Sequence, residues 1–281
     1  MKRLLVLLLF SYSLVFSQQD LLSKIDRNDQ DTIEKSAFKG LKIVNFESTK
    51  LADKKLFYLV VAHRFSSVKG GFDTFFGLDD AVTRLNFIYG LTDWLNVSIS
   101  RSSFEKTYEA ALKYRLVWQQ EGGFPFTVVG YNSLTINTNL DKDLLPGLEF
   151  KDRLGLVTQL LVSKKLNKNF SVQLIPSLFH ENLTSFEAQD NTQYALGFGG
   201  RHKLSKRWSI NLDYGWHLNR ASGSPFKNPL SIGFDLETGG HVFQLHFTNA
   251  QPMNAIGFLG RGTGDWFDGD FFFGFNLSRV F

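Results

Sequence analysis

The residues able to do chemistry in this chain are charges set at alternate positions of otherwise apolar runs, together with six histidines. Arg64, Arg84, Lys113, Arg115, Arg153 and Arg201 fall on the polar faces of their segments, as do Glu109, Asp213, Asp235, Glu237 and Asp270. The cations occupy the earlier segments and the acids, Glu109 apart, the later ones. If these segments wrap around an interior, a basic wall faces an acidic wall, and a transverse field of the kind found in solute pores results. The alternative is that the same charges pair across a narrow interior and fill it, because buried charges are normally paired.

Other chemistries find less to work with. A lipid hydrolase needs a serine beside a histidine that Asn or Asp orients. The histidines are His63, His180, His202, His217, His241 and His246, and no Gly-x-Ser-x-Gly elbow accompanies them. His217 and His246 fall on inward faces, but nothing ties either to a particular serine, so no catalytic residue is assigned. Asp265, Asp268 and Asp270 stand near Gly262 and Gly264 and could hold a cation, although Gly and Asp clusters are ordinary loop chemistry. Neither a metal nor a cofactor is expected. With no cysteine anywhere, disulfides, thiolate metal sites and a thiol nucleophile are excluded. The net charge of +4 includes Lys2 and Arg3, and no Lys/Arg cluster points to nucleic acid.

The elements that must position these side chains are strands. At the C-terminus Phe271, Phe273, Phe275, Leu277 and Phe281 share one face, while Asp270, Gly274, Asn276 and Ser278 share the other. Period two with one face this apolar describes a strand that meets apolar surroundings on one side only. Eleven earlier segments repeat the pattern: Leu56–Ser66, Ala81–Gly90, Trp94–Ser102, Tyr108–Gln119, Phe124–Ile136, Asp152–Leu166, Asn169–Phe179, Thr192–Leu204, Arg207–His217, Pro229–Thr238 and His241–Asn249. Each is close to the ~9–11 residues that cross a bilayer when tilted.

The connections alternate. Tight links such as Leu91–Asp93, Gln120–Gly123, Asn167–Lys168 and Gly239–Gly240 follow the even strands, and longer loops follow nearly all the odd ones. Short turns at one rim and long loops at the other mark an outer-membrane barrel, and an even count leaves both chain ends at the short-turn rim. The expected fold is therefore all-β: a transmembrane antiparallel up-and-down β-barrel of about twelve strands, with short periplasmic turns and long extracellular loops. Trp94, Trp118, Trp208, Trp216, Tyr89, Tyr108 and Tyr194 lie near strand ends, where an aromatic girdle sits. The longest loop, 250–269, carries Met253, Ile256, Phe258, Leu259, Trp266 and Phe267; it is too apolar to stand free in water, and either folds into the lumen or packs at the rim.

Ahead of the barrel, Met1-Lys2-Arg3 and an apolar run to about Phe16 read as a secretory signal peptide, residues 1–17. The run falls short of the ~20 residues of a spanning helix. Residues 18–55 are polar and read as a periplasmic N-terminal extension that would meet a periplasmic partner. Within it, Ala37–Phe46 reads as a short strand or a plug. Residues 56–281 are the barrel.

Several stretches carry a resemblance: Ala62-His63-Arg64-Phe65, Phe76-Gly77-Leu78-Asp79-Asp80-Ala81, Arg84 through Trp94, Lys106-Thr107-Tyr108, Leu112-Lys113-Tyr114-Arg115, and the terminal Ser278-Arg279-Val280-Phe281. Together they resemble a domain-of-unknown-function family of outer-membrane β-barrels from Bacteroidota, over roughly Ala37 to Phe281. The resemblance implies fold and location, and no catalytic residues. The partners then expected are outer-membrane lipid and the barrel assembly machinery, which would read Phe273, Phe275, Leu277 and Phe281; the expected functions are a narrow porin-like pore for small solutes or ions, or a closed anchoring barrel.

Overall fold

The computed structural model describes residues 36–281, so the expected leader and the first part of the 18–55 extension lie outside the described residues. Twelve antiparallel strands close into one barrel in sequence order. They are β1 (Phe57–Ser67), β2 (Ala81–Gly90), β3 (Leu95–Ser102), β4 (Tyr108–Val117), β5 (Thr127–Ile136) and β6 (Leu154–Lys165). The circuit continues with β7 (Phe170–Glu181), β8 (Thr192–Lys203), β9 (Trp208–His217), β10 (Leu230–Glu237), β11 (His241–Thr248) and β12 (Phe272–Val280). β12 pairs with β1 from Tyr58↔Val280 to Arg64↔Gly274, which leaves no unpaired sheet edge.

Alternation decides which side chains meet which environment. Along β8, Gln193, Ala195, Gly197, Gly199 and Arg201 are buried, while Tyr194, Phe198 and His202 are exposed. Phe273, Phe275 and Leu277 lie on the outward face of β12, and Phe281 is exposed just beyond it. The outward surface is a belt of large apolar side chains, Ile99, Leu116, Leu156 and Leu245 among them. All seven of the girdle Trp and Tyr are exposed at strand ends. No helix among the described residues is long and apolar enough to cross a membrane.

Strand ends mostly agree with the sequence reading to within about two residues, and the largest difference falls between β4 and β5. The link after β4 spans residues 118–126 rather than Gln120–Gly123 alone. Pro125 has no N–H to give a ladder, and the β4–β5 register already slips between Arg115 and Val117.

The interior is the unusual part. Residues 36–52, which hold the Ala37–Phe46 stretch read as a short strand or a plug, run inside the barrel: from Ala37 to Ala52 all but Lys42 and Lys50 are buried. Both ends of this segment sit at the short-turn rim. Lys39 reaches the Lys206 carbonyl and Glu237 there, and Lys55 donates to the Gly90 carbonyl at 2.7 Å. From the opposite mouth, the first part of the 250–269 loop folds inward and forms a short helix, α1 (Ala255–Gly260), all six residues of which are buried. The Asn254 side chain caps it by accepting from the Gly257 N–H at 2.8 Å. The two segments meet edge-to-face at Phe46 and Phe258, with ring centroids 4.8 Å apart.

A plugged lumen as the candidate functional site

The wall side chains of the lumen address the plug more than they address each other. Asp213 on β9 is 1% exposed. Its Oδ2 accepts from the backbone N–H groups of Val44 at 3.0 Å, Asn45 at 2.8 Å and Phe46 at 3.1 Å. Successive N–H groups converging on one oxygen form an anion-binding nest, and here a wall carboxylate fills it. Arg64 on β1 donates to Asn45 Oδ1 at 3.1 Å and to Asn276 Oδ1 at 3.0 Å. Asn45 Nδ2 in turn donates to Ser231 and Thr248, both at 3.0 Å. On the returning arm, Lys113 Nζ lies 3.1 Å from Glu47 Oε2, and Lys42 Nζ lies 2.8 Å from the other carboxylate oxygen. Burial by itself raises the Glu47 carboxyl, but Lys42 and Lys113 overcome this and hold it at about 2, below its ordinary 4.5.

The wall makes room for apolar plug side chains by omitting its own. A Cβ added at Gly199 would stand 2.2 Å from Ile43 Cδ1, and one at Gly197 would stand 2.7 Å from the Phe46 ring. Gly233 plays the same part for Val44, at 3.1 Å. Around these recesses lies a buried cluster that includes Ile43, Phe46, Leu161, Ile175, Phe179, Ile256, Phe258 and Leu259. Two gaps between plug and wall measure about 30 Å³ and about 10 Å³. A gap of that size holds on the order of one or two water molecules.

The charges read from sequence are distributed as follows. Arg64, Arg84, Glu109, Lys113, Arg201, Asp213 and Asp235 are buried in the interior. Among wall residues, Arg84 pairs with Glu109 two strands away; Lys113 and Glu237 pair instead with plug residues Glu47 and Lys39. Arg201 donates to the Ala37 carbonyl at 3.1 Å, and Asp235 accepts from Gln244 at 2.7 Å. Three of the candidates stand at the rims. Arg115 lies half-buried beside the Trp118 ring, 3.2 Å from its centroid, and donates to the Asp93 carbonyl. Arg153 closes the turn before β6 with a bond to the Asn137 carbonyl at 3.2 Å. Asp270 accepts from Ser67 Oγ at 2.5 Å, just outside β12. Arg153 and Asp270 lie just outside β6 and β12, where alternation no longer fixes direction, while Arg115 stands within β4, two residues from its end.

The basic and acidic walls of the sequence reading therefore do not face each other across open water. Residues 36–52 stand between them. Gln173, Gln244 and Asn276, which carry no charge, contact the plug backbone as closely as the charged residues do. Their signal in the sequence was the run of Gln, Asn and Gly on inward faces. Among the histidines, His63 contacts Thr83, and His180 contacts Thr192 and Asn182. The imidazole nitrogens of His217 and His246 find no hydrogen-bond partner among the described residues.

Solved structures with this fold include the KdgM porin in complex with disordered oligogalacturonate, at TM-score 0.51 and 8% identity, covering 80% of this chain and 99% of that one. The NanC porin is similar at TM-score 0.51 and 8% identity, covering 79% of this chain and 98% of that one. At such identities the likeness concerns the fold alone. No curated protein sequence matches significantly. Residues 38–281 match the profile of a membrane-bound β-barrel domain, DUF5777, and the chain belongs to that family.

Proposed function

We propose that this protein is an outer-membrane channel for small polar solutes, held shut by its own residues 36–52. The observation that carries this reading is the manner of closure: a lumen lined with polar and charged side chains is filled by segments entering from its two mouths. A barrel of twelve strands lies between those that side chains alone can fill and the wide porins, and a separate plug is one way of closing it. The plug enters at the short-turn rim, which the barrel rule places toward the periplasm. An exported leader, delivery by the barrel assembly machinery through the terminal aromatic strand, and a periplasmic component that engages the chain ahead of the plug belong to the same reading.

The test uses the absence of native cysteine. Thr49 Oγ1 and Ser163 Oγ lie 2.6 Å apart, one on the plug and one on β6. Thr49→Cys with Ser163→Cys should form a disulfide that locks the plug to the wall. In planar bilayers the reduced protein is expected to open and the oxidised protein to stay shut, with reductant restoring the current. Equal currents in both states, with the disulfide verified, would show that the plug is not the gate. A barrel silent in both states supports instead a closed anchoring barrel, a reading favoured by the apolar seam between Phe46 and α1.

A further inference from the structure

We infer that the solute class this lumen recognises is the peptide chain, and that residues 36–52 occupy it as a tethered pseudo-substrate; the inference rests on the channel reading above. Its ground is the way wall side chains treat the plug's backbone. Gln173 on β7 uses both ends of its amide: Oε1 accepts from the Thr49 N–H at 3.0 Å, and Nε2 donates to the Glu47 carbonyl at 2.7 Å. A carbonyl at one residue and an N–H two residues on are what a neighbouring β-strand would engage, so the side-chain amide stands in for a strand partner. Asn276 donates to the Val44 carbonyl at 3.1 Å, and Gln244 donates to the Ile43 carbonyl. Lys113 and Arg201 donate to the carbonyls of Leu41 and Ala37, at 3.0 Å and 3.1 Å. Asp213 takes the three N–H groups at the tip.

Buried backbone groups must all find partners, and a plug could find them within itself. This one uses few internal backbone bonds, Ile43 N–H to the Phe46 carbonyl and Ser48 N–H to the Leu41 carbonyl. Nine main-chain groups of the plug are met by six wall side chains on β4, β7, β8, β9, β11 and β12, and others by the plug's own Ser36, Lys42, Ser48 and Lys50. These bonds read amide N–H and C=O, which every peptide carries at fixed spacing and an oligosaccharide does not. The glycine recesses at Gly197, Gly199 and Gly233 add room for apolar side chains of varied shape.

The experiment uses the full-length double-cysteine barrel in its reduced state, in proteoliposomes. Uptake is compared for a hexapeptide with the sequence of Lys42–Glu47, a hexapeptide of unrelated sequence, and a linear oligosaccharide of equal mass, each normalised to small-ion current. Both peptides are expected to enter at least about tenfold faster than the oligosaccharide. Gln173→Leu, which strands two main-chain partners, should lower the normalised peptide uptake about tenfold, by the size of effect expected for two buried hydrogen bonds. Leu174→Ala, on the outward face of the same strand, serves as the control and should change nothing. A barrel that carries ions but admits peptide and sugar alike, or one indifferent to Gln173→Leu, overturns the peptide assignment and leaves the channel standing. Silence toward ions and peptides together overturns both.

Discussion

Asp213 shows how much one side chain can decide. Its carboxylate is the shared acceptor for three consecutive plug N–H groups. Removing it strands donors in a dry interior, where each unmet group costs about 1–3 kcal/mol. Asp213→Ala should therefore lower the hydrogen-exchange protection of Val44, Asn45 and Phe46 by roughly tenfold or more, since about 1.4 kcal/mol is a factor of ten. Unchanged protection would mean that apolar packing alone seats the plug. Glu47 supplies a second handle at this scale. Its carboxyl is depressed in the folded state to about 2 from 4.5. A depressed acid stabilises the folded arrangement above its unfolded value and loses that contribution as pH falls through the folded one. Exchange in residues 43–49, corrected for its intrinsic pH dependence, should accordingly rise as pH drops from about 4.5 toward 2. Glu47→Gln should show weakened protection already at neutral pH and little further response to acid. If the variant keeps the full acid response, another group is titrating.

At the scale of the element, β8 explains why the plug fits. Its inward face reads Gln193, Ala195, Gly197, Gly199, Arg201, while its outward face carries Tyr194, Leu196 and Phe198. A strand that is large outside and nearly bare inside leaves a trough, and Ile43 and Phe46 lie in it. Gly197→Val puts branched carbon where the Phe46 ring stands, and overpacking of this kind costs about 1–3 kcal/mol. The expected outcome is a barrel that still folds, seen as heat-modifiable gel migration, with the plug loosened in hydrogen exchange. Gly200→Val is the matched control, because a Cβ there meets nothing within 4 Å. Equal effects from the two variants would trace the loosening to general strand strain. The inward Gly and Gln of this strand were visible in the sequence as a polar face. Their partner was not, because it lies more than a hundred residues earlier in the chain, in a segment with no period of its own.

For the molecule as a whole, closure has two parts that touch. The N-terminal plug rises from one rim, α1 descends from the other, and Phe46 lies between Phe258, Gly197 and Gly215 at the junction. Truncating a buried phenylalanine costs about 3–5 kcal/mol where the site cannot collapse. Phe46→Ala should then raise hydrogen exchange in residues 43–49 and 255–260 together. A rise confined to 43–49 would show that the two mouths close independently.

The sequence by itself determined the barrel. Strand length, period-two alternation, the phase of short and long connections and the aromatic final strand are local properties, and each survives being read one segment at a time. It also marked Ala37–Phe46 as a short strand or a plug and showed a loop at 250–269 too apolar for open water. Only the tertiary structure decided what the inward charges face. Alternation says that Arg64, Lys113 and Asp213 point inward, but it carries no information about what stands across the lumen from them. That depended on a segment whose hydrogen bonds reach β1, β4, β7, β8, β9, β11 and β12 at once. Contacts of such range exist only once the barrel has closed around the segment, so no stretch of sequence records them.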